Sequence, residues 1–97
     1  MTMAGWMLES RDPAMVLRLP DGAVKTVGRT ARADFIVEAP LVSRIHCRLT
    51  ARGDELVVED LSSTNGTLVN GERIDRAALK TGDVLTVGRV EFSVLPV

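Results

Sequence analysis

Three clusters in this sequence have the side chains to hold an anion. Arg29 follows Val27-Gly28; the glycine lets the backbone turn sharply, and the flat guanidinium fork matches two phosphate oxygens at once. In Ser43-Arg44-Ile45-His46 the serine offers a hydroxyl donor and Arg44 a second cation. His46 can bridge neighbouring backbone groups through its two ring nitrogens. In SSTNGT, residues 62–67, small hydroxyl and amide side chains crowd Gly66. Thr64 can donate to a phosphate oxygen, and the Asn65 amide carries both the donor and the acceptor that an extended peptide backbone requires. Taken singly, these residues also describe a surface arginine, a structural histidine and a plain Asn-Gly turn; it is their combination that points to an anion site.

Other chemistry finds less support. Ser43 and His46 have the types of a nucleophile and its base, but no third orienting group stands at a recognisable spacing. The sequence contains no glycine-rich phosphate loop ending in Gly-Lys-Ser/Thr, no HExxH and no pair of carboxylates set out for acid and base roles. Arg52-Gly53-Asp54 lies between two expected strands and reads as a turn. Cys47 is the one cysteine, so no internal disulfide and no zinc site of the CxxC type can form. The expectation is therefore a protein that is not an enzyme and that needs no cofactor or metal.

The elements that must position these residues read as strands. Apolar residues alternate with polar ones or form short β-branched runs, and no helical stripe is sustained. Ten strands are expected: Trp6–Glu9, Met15–Leu19, Ala23–Val27, Phe35–Val37, Cys47–Ala51, Leu56–Asp60, Leu68–Val69, Glu72–Ile74, Val84–Val87 and Glu91–Leu95. The class is all-β, in two stacked sheets. Asp21-Gly22 and Asn70-Gly71 have the composition of tight hairpin turns, and Gly53-Asp54 and Gly82-Asp83 punctuate two more links. Two stretches, 30–45 and 61–67, are long, polar and poor in strand formers, which is where binding residues sit on a rigid scaffold.

Composition sets the outer bounds. Ninety-seven residues at 45% hydrophobic suffice for one cored domain, expected to span residues 1–97. The net charge of -1 divides unevenly, with eight Lys/Arg against five Asp/Glu up to residue 52 and four against eight beyond it. That balance does not favour nucleic acid, and the few aromatics, Trp6, Phe35 and Phe92, offer no stacking platform for single strands. The first fifteen residues lack a basic segment followed by a long apolar run, and no stretch approaches the ~20 apolar residues of a membrane helix. The expected setting is cytoplasmic, with no membrane partner.

In order along the chain, Val27-Gly28-Arg29, Asp34 ahead of an apolar pair, VSRIH at 42–46, EDLSSTNGTLVNG at 59–71 and GDVLTVG at 82–88 resemble the forkhead-associated (FHA) domain family. The similarity runs from about Val16 to the C-terminus. It implies a β-sandwich of about eleven strands in two sheets with the binding loops at one end. It also implies recognition of phosphothreonine, in preference to phosphoserine, in a protein or peptide partner such as a Ser/Thr kinase or its substrate. By position, Arg29, Ser43, Arg44 and Thr64 would meet the phosphate and Asn65 the peptide backbone, while Gly28, His46 and Gly66 would shape the loops and Asn70-Gly71 a structural turn. Two departures stand out: Glu38-Ala39-Pro40-Leu41 places apolar residues in a loop that is usually more polar in the family, and the first strand looks short. The alternative reading is a phosphate-independent protein-protein or self-association domain, to which Leu41 would belong.

Overall fold

The computed structural model describes residues 5–97; the first four residues of the expected domain and of the leader reading lie outside the described residues. Eleven strands form two sheets: β1 (Gly5–Arg11), β2 (Ala14–Pro20), β3 (Val24–Gly28), β4 (Phe35–Ile36), β5 (Cys47–Arg52), β6 (Glu55–Asp60), β7 (Thr67–Val69), β8 (Glu72–Ile74), β9 (Arg76–Leu79), β10 (Val84–Val87) and β11 (Val90–Pro96). One sheet runs β2-β1-β11-β10-β7-β8 and the other β4-β3-β5-β6-β9. Every pairing is antiparallel except β3 with β4. No helix among the described residues is long and apolar enough to cross a membrane.

The period-2 pattern builds the core. Leu8, Leu17 and Leu19 from β1 and β2 and Leu85, Phe92 and Val94 from β10 and β11 face Val27, Cys47, Leu49, Leu56 and Val58 of the other sheet, all of them buried. Each such side chain contributes about 1.5–3 kcal/mol by leaving water. Burial pushes the Cys47 thiol up to about 12, with the nearby Asp60 carboxylate adding to the rise, so this cysteine is a small apolar packing residue.

Three expectations need correction. β9 was not foreseen, because Arg76-Ala77-Ala78-Leu79 has no β-branched residue; it forms by completing the edge of β6, in the register Glu59↔Arg76 to Leu56↔Leu79. The first strand is not short: pairing on both flanks, with β2 and with β11, extends it to seven residues. Asp21-Gly22 is not a hairpin, since β2 and β3 lie in different sheets; Gly22 donates its N–H to the Ala51 carbonyl and Asp21 accepts from Gly53 N–H, stitching that crossover to the β5–β6 turn.

Asn70-Gly71 does close a two-residue hairpin between Val69 and Glu72, both residues having positive φ, 52° and 84°. The Asn70 side chain accepts from Val84 N–H and donates to Asp83. The strand directions put this turn, the β5–β6 turn and the β2–β3 crossover at one pole. The β1–β2 turn and the loops 29–34, 37–46, 61–66 and 88–89 lie at the other. Gly5 and Val97 meet at the first pole, where Val97 N–H donates to the Gly5 carbonyl at 3.1 Å.

Candidate functional site

At the loop pole an open cleft of about 710 Å³ is lined by Arg29 from the end of β3, by Pro40 to Ile45, and by Ser62, Thr64 and Asn65 of the β6–β7 loop. It gathers Arg29, Ser43, Arg44, Thr64 and Asn65, separated by up to 36 positions in sequence, into one concavity. Gly28, His46 and Gly66 sit buried beneath it, while Asn70 and Gly71 are at the opposite pole.

Each loop is held by the chain itself. Gly28 lies so close to the next loop that a Cβ there would stand 2.1 Å from the Arg44 carbonyl oxygen; only glycine lets the β3 end and residues 43–45 touch. Across that contact Arg29 N–H donates to Ser43 O and His46 N–H to Val27 O. Arg29 Nε donates to the Val42 carbonyl at 2.9 Å, which fixes the guanidinium plane and leaves its two terminal nitrogens facing the cleft side without a protein acceptor among the described residues. At the far end of that loop Asp34 takes the N–H and hydroxyl of Thr26, and these bonds hold its carboxyl below the usual carboxylate range.

His46, fully buried, joins two loops. Its Nδ1 accepts the Ser43 backbone N–H at 3.0 Å, and its Nε2 lies 2.8 Å from the Gly66 carbonyl. A backbone N–H can only donate, so Nδ1 carries the lone pair and Nε2–H donates to Gly66: the neutral ring in one tautomer satisfies both bonds. Neither nitrogen is left to activate the Ser43 hydroxyl, which removes the arrangement a hydrolase would need. The Ser43 Oγ accepts from Thr64 N–H at 2.9 Å, and its own proton remains free to donate into the cleft.

Beneath the β6–β7 loop lies a brace that sequence reading missed. Asp60 accepts the backbone N–H and hydroxyl of Ser63 and, at 2.7 Å, the hydroxyl of Thr67. Ser63 Oγ in turn accepts from Gly66 N–H. Burial alone would raise the Asp60 carboxyl, but these three hydrogen bonds outweigh it and leave it below its ordinary value. A depressed folded-state value means the bonds stabilise the fold above the unfolded carboxylate pKa, about 3.9, and cease to as the pH falls through the folded value. Asp34 and Asp83 act in the same sense. Urea midpoints should therefore drop below about pH 4, and Asp60→Asn should show a shallower decline than the wild type; parallel declines would count against the brace.

The loop 38–42 has a second notable feature. Val42 N–H bonds back to the Ala39 carbonyl, Pro40 sits at the second position of this turn, and Leu41 at the third has φ of 72°. These are the marks of a type II turn, whose third position is ordinarily glycine or asparagine; a leucine there costs roughly 1–2 kcal/mol. Asn65 Nδ2 donates to the Leu41 carbonyl at 3.0 Å and helps to hold it. The turn rests on Gly88, where a Cβ would press within 2.8 Å of Val42 and 3.1 Å of the Pro40 and Leu41 backbone.

The cleft thus carries two guanidinium groups, three hydroxyls (Ser43, Ser62 and Thr64) and an amide, with no carboxylate in its lining, in a chain of net charge -1. Such a lining can hold an anion flanked by a polar backbone.

Comparison with known proteins agrees with this geometry. The chain is 41% identical over 74 residues to the ABC transporter ATP-binding/permease protein Rv1747 of Mycobacterium tuberculosis, a match covering 76% of the chain and 8% of that protein. It is 37% identical over 71 residues to the glycogen accumulation regulator GarA of the same species, covering 73% of the chain and 44% of GarA. The chain thus spans less than half the length of these curated relatives. Among solved structures, the FhaA FHA domain complexed with the intracellular domain of Rv3910 superposes with a TM-score of 0.84 at 32% identity, covering 92% of this chain and 98% of that one. A domain studied for phosphothreonine-dependent FHA interactions gives 0.86 at 32% identity, covering 94% and 95%. The family model for the FHA domain matches residues 25–88, from the second residue of β3 to the residue after β10, and the chain belongs to the FHA domain family.

Proposed function

We propose that this domain is a binding module that captures phosphothreonine in a partner protein and so links Ser/Thr kinase signalling to protein assembly, in a cytoplasmic setting. The observation that carries the reading is the convergence of Arg29, Arg44, Ser43 and Thr64 on one cleft without a carboxylate. A phosphate group brings about -1.5 to -2 charges and three strong acceptor oxygens. The terminal nitrogens of Arg29, the Arg44 guanidinium and the hydroxyls of Ser43 and Thr64 supply the complementary donors. The free Asn65 carbonyl oxygen and its second N–H meet the main chain beside the modified residue. The relatives support the same reading: one solved structure comes from a study of phosphothreonine-dependent FHA domain interactions, and EmbR of Mycobacterium tuberculosis, of which this chain covers 24%, was solved in complex with a low-affinity phosphopeptide.

Titration with a degenerate phosphothreonine peptide library beside its unphosphorylated twin tests this. Saturable binding to the phosphorylated library alone is expected. Equal binding to both would sink the reading in favour of phosphate-independent association. Against the same peptides carrying phosphoserine, the lost methyl should weaken binding by roughly fourfold, the equivalent of about 0.8 kcal/mol.

A further inference from the structure

The two sheets present four edge strands, and three of them are short: β4 has two residues, β8 three and β9 four. β2 has seven and is paired on one side only, with β1. The phase of its ladder is set on the far side of β1. There Val97 N–H donates to the Gly5 carbonyl, so Gly5, Met7 and Glu9 turn their backbone groups toward β11, in the register Met7↔Leu95 and Glu9↔Ser93. Leu8 and Ser10 then bond to Leu17 and Met15, and the N–H and C=O groups of Val16 and Arg18 point out of the sheet, where they have no partner among the described residues. Proteins blunt their edges with short strands, clustered charges, bulges or prolines. β2 has one charged residue, Arg18, and its prolines stand only at the ends, Pro13 before it and Pro20 as its last residue. Between them Val16 lies 48% exposed.

We propose that β2 is the seam of a homodimer, pairing antiparallel with β2 of a second copy about a two-fold axis at Leu17. The inference is independent of what the cleft binds. In this register all seven residues overlap, each Val16 faces Arg18 of the other copy, and the outward N–H and C=O groups of both residues bond across the seam. Charge singles out a second copy as the occupant. Glu9 is the β1 partner of Val16, so Arg18 of the second copy lies across Val16 from Glu9, and a carboxylate and a guanidinium flank each half of the seam. An axis at Arg18 would instead set two guanidinium groups face to face. The two poles are complementary as well. The loops at the cleft pole, 12–13, 29–34, 37–46, 61–66 and 88–89, hold four arginines against three carboxylates, and those at the other, 21–23, 53–54, 70–71 and 80–83, hold one lysine against three. Antiparallel pairing lays the cleft pole of each copy beside the opposite pole of its mate. The joined sheet ends at both sides on the three-residue β8, so the assembly closes at two copies. It holds the two clefts at opposite ends, open to two separate ligands.

The test is equilibrium sedimentation of the 97-residue chain, unliganded, over about 1 µM to 1 mM. A seam one strand wide is smaller than the ~800 Å² per partner of a standard interface, so a weak dimer is expected, forming as the concentration rises. Three variants accompany the wild type. Val16→Pro removes an outward donor and leaves the ladder to β1 whole, since Val16 does not bond to β1. Arg18→Glu sets a carboxylate near Glu9 of the second copy, and Glu9→Arg combined with Arg18→Glu restores opposite signs across the seam. Val16→Pro and Arg18→Glu should each raise the dimer dissociation constant by at least about tenfold. The combined variant should return to within about threefold of the wild type. Because all three changes lie at exposed edge positions, thermal midpoints close to wild type should show that the variants remain folded. A wild type that stays monomeric throughout the range overturns the proposal, as does a combined variant no better than Arg18→Glu alone. A dimer that persists in Val16→Pro but dissociates in Leu41→Asn would put the contact at the cleft pole and overturn it too.

Discussion

Replacing Arg29 by alanine should reduce affinity for a phosphothreonine peptide by roughly ten- to a hundredfold while leaving the thermal midpoint within a few degrees of wild type. A hydrogen bond to a charged group is worth about 1.5–3 kcal/mol, which sets that range. The structure adds a reason why lysine should recover little of it. The Arg29 Nε is engaged with the Val42 carbonyl, so the guanidinium plane is fixed before any ligand arrives and only its outer edge is presented. A lysine keeps the charge but has no second nitrogen with which to hold Val42 and meet an anion together. Calorimetric titration of wild type, Arg29→Ala and Arg29→Lys against one phosphopeptide checks both statements. An unchanged affinity in the alanine variant would place the phosphate contact elsewhere in the cleft.

The largest stability effect is expected at His46. Its removal leaves the Ser43 N–H and the Gly66 carbonyl unpaired in a place no water reaches without disturbing the loops. An orphaned buried group costs about 1–3 kcal/mol, and the vacated ring volume adds to it. His46→Ala should therefore cost about 3–5 kcal/mol, a large share of the 5–15 kcal/mol typical of a domain, and lower the thermal midpoint by more than about 12 °C. His46→Gln, which retains one acceptor and one donor, should recover part of the loss. A midpoint for His46→Ala within a few degrees of wild type would mean that the loops do not depend on this ring.

Much of the candidate site was readable because the side chains that line the cleft are chemically distinctive. Arg29, Arg44 and the Ser-Thr-Asn run announce anion and backbone recognition in whatever fold carries them, and Asn70-Gly71 announces its turn because few residue pairs accept two positive φ values. What escaped detection depends on closure. The bonds from Ser63 and Thr67 to Asp60 join positions three and seven residues apart within a polar stretch, a spacing that means nothing until the loop folds back on itself. The left-handed turn at Leu41 leaves no mark in the sequence because its usual sign, a glycine, is absent; the apolar residues are legible, but not the backbone that displays them. β9 was hidden for the reverse reason, since two alanines carry no strand signal and the edge of β6 supplies the order instead.

The pairing of Gly5 with Val97 has a mechanical consequence. Both ends of the described chain emerge side by side at the pole away from the cleft, so a pull applied between them peels β1 from β11 one rung at a time, like a zip. The loops at the other pole would feel no load until most of that seam had opened. A partner tugging on the cleft against a tether at either end instead loads the same strands along their length, where the rungs share the force. The domain is thus easily unzipped from its ends and resists being dragged by its cargo.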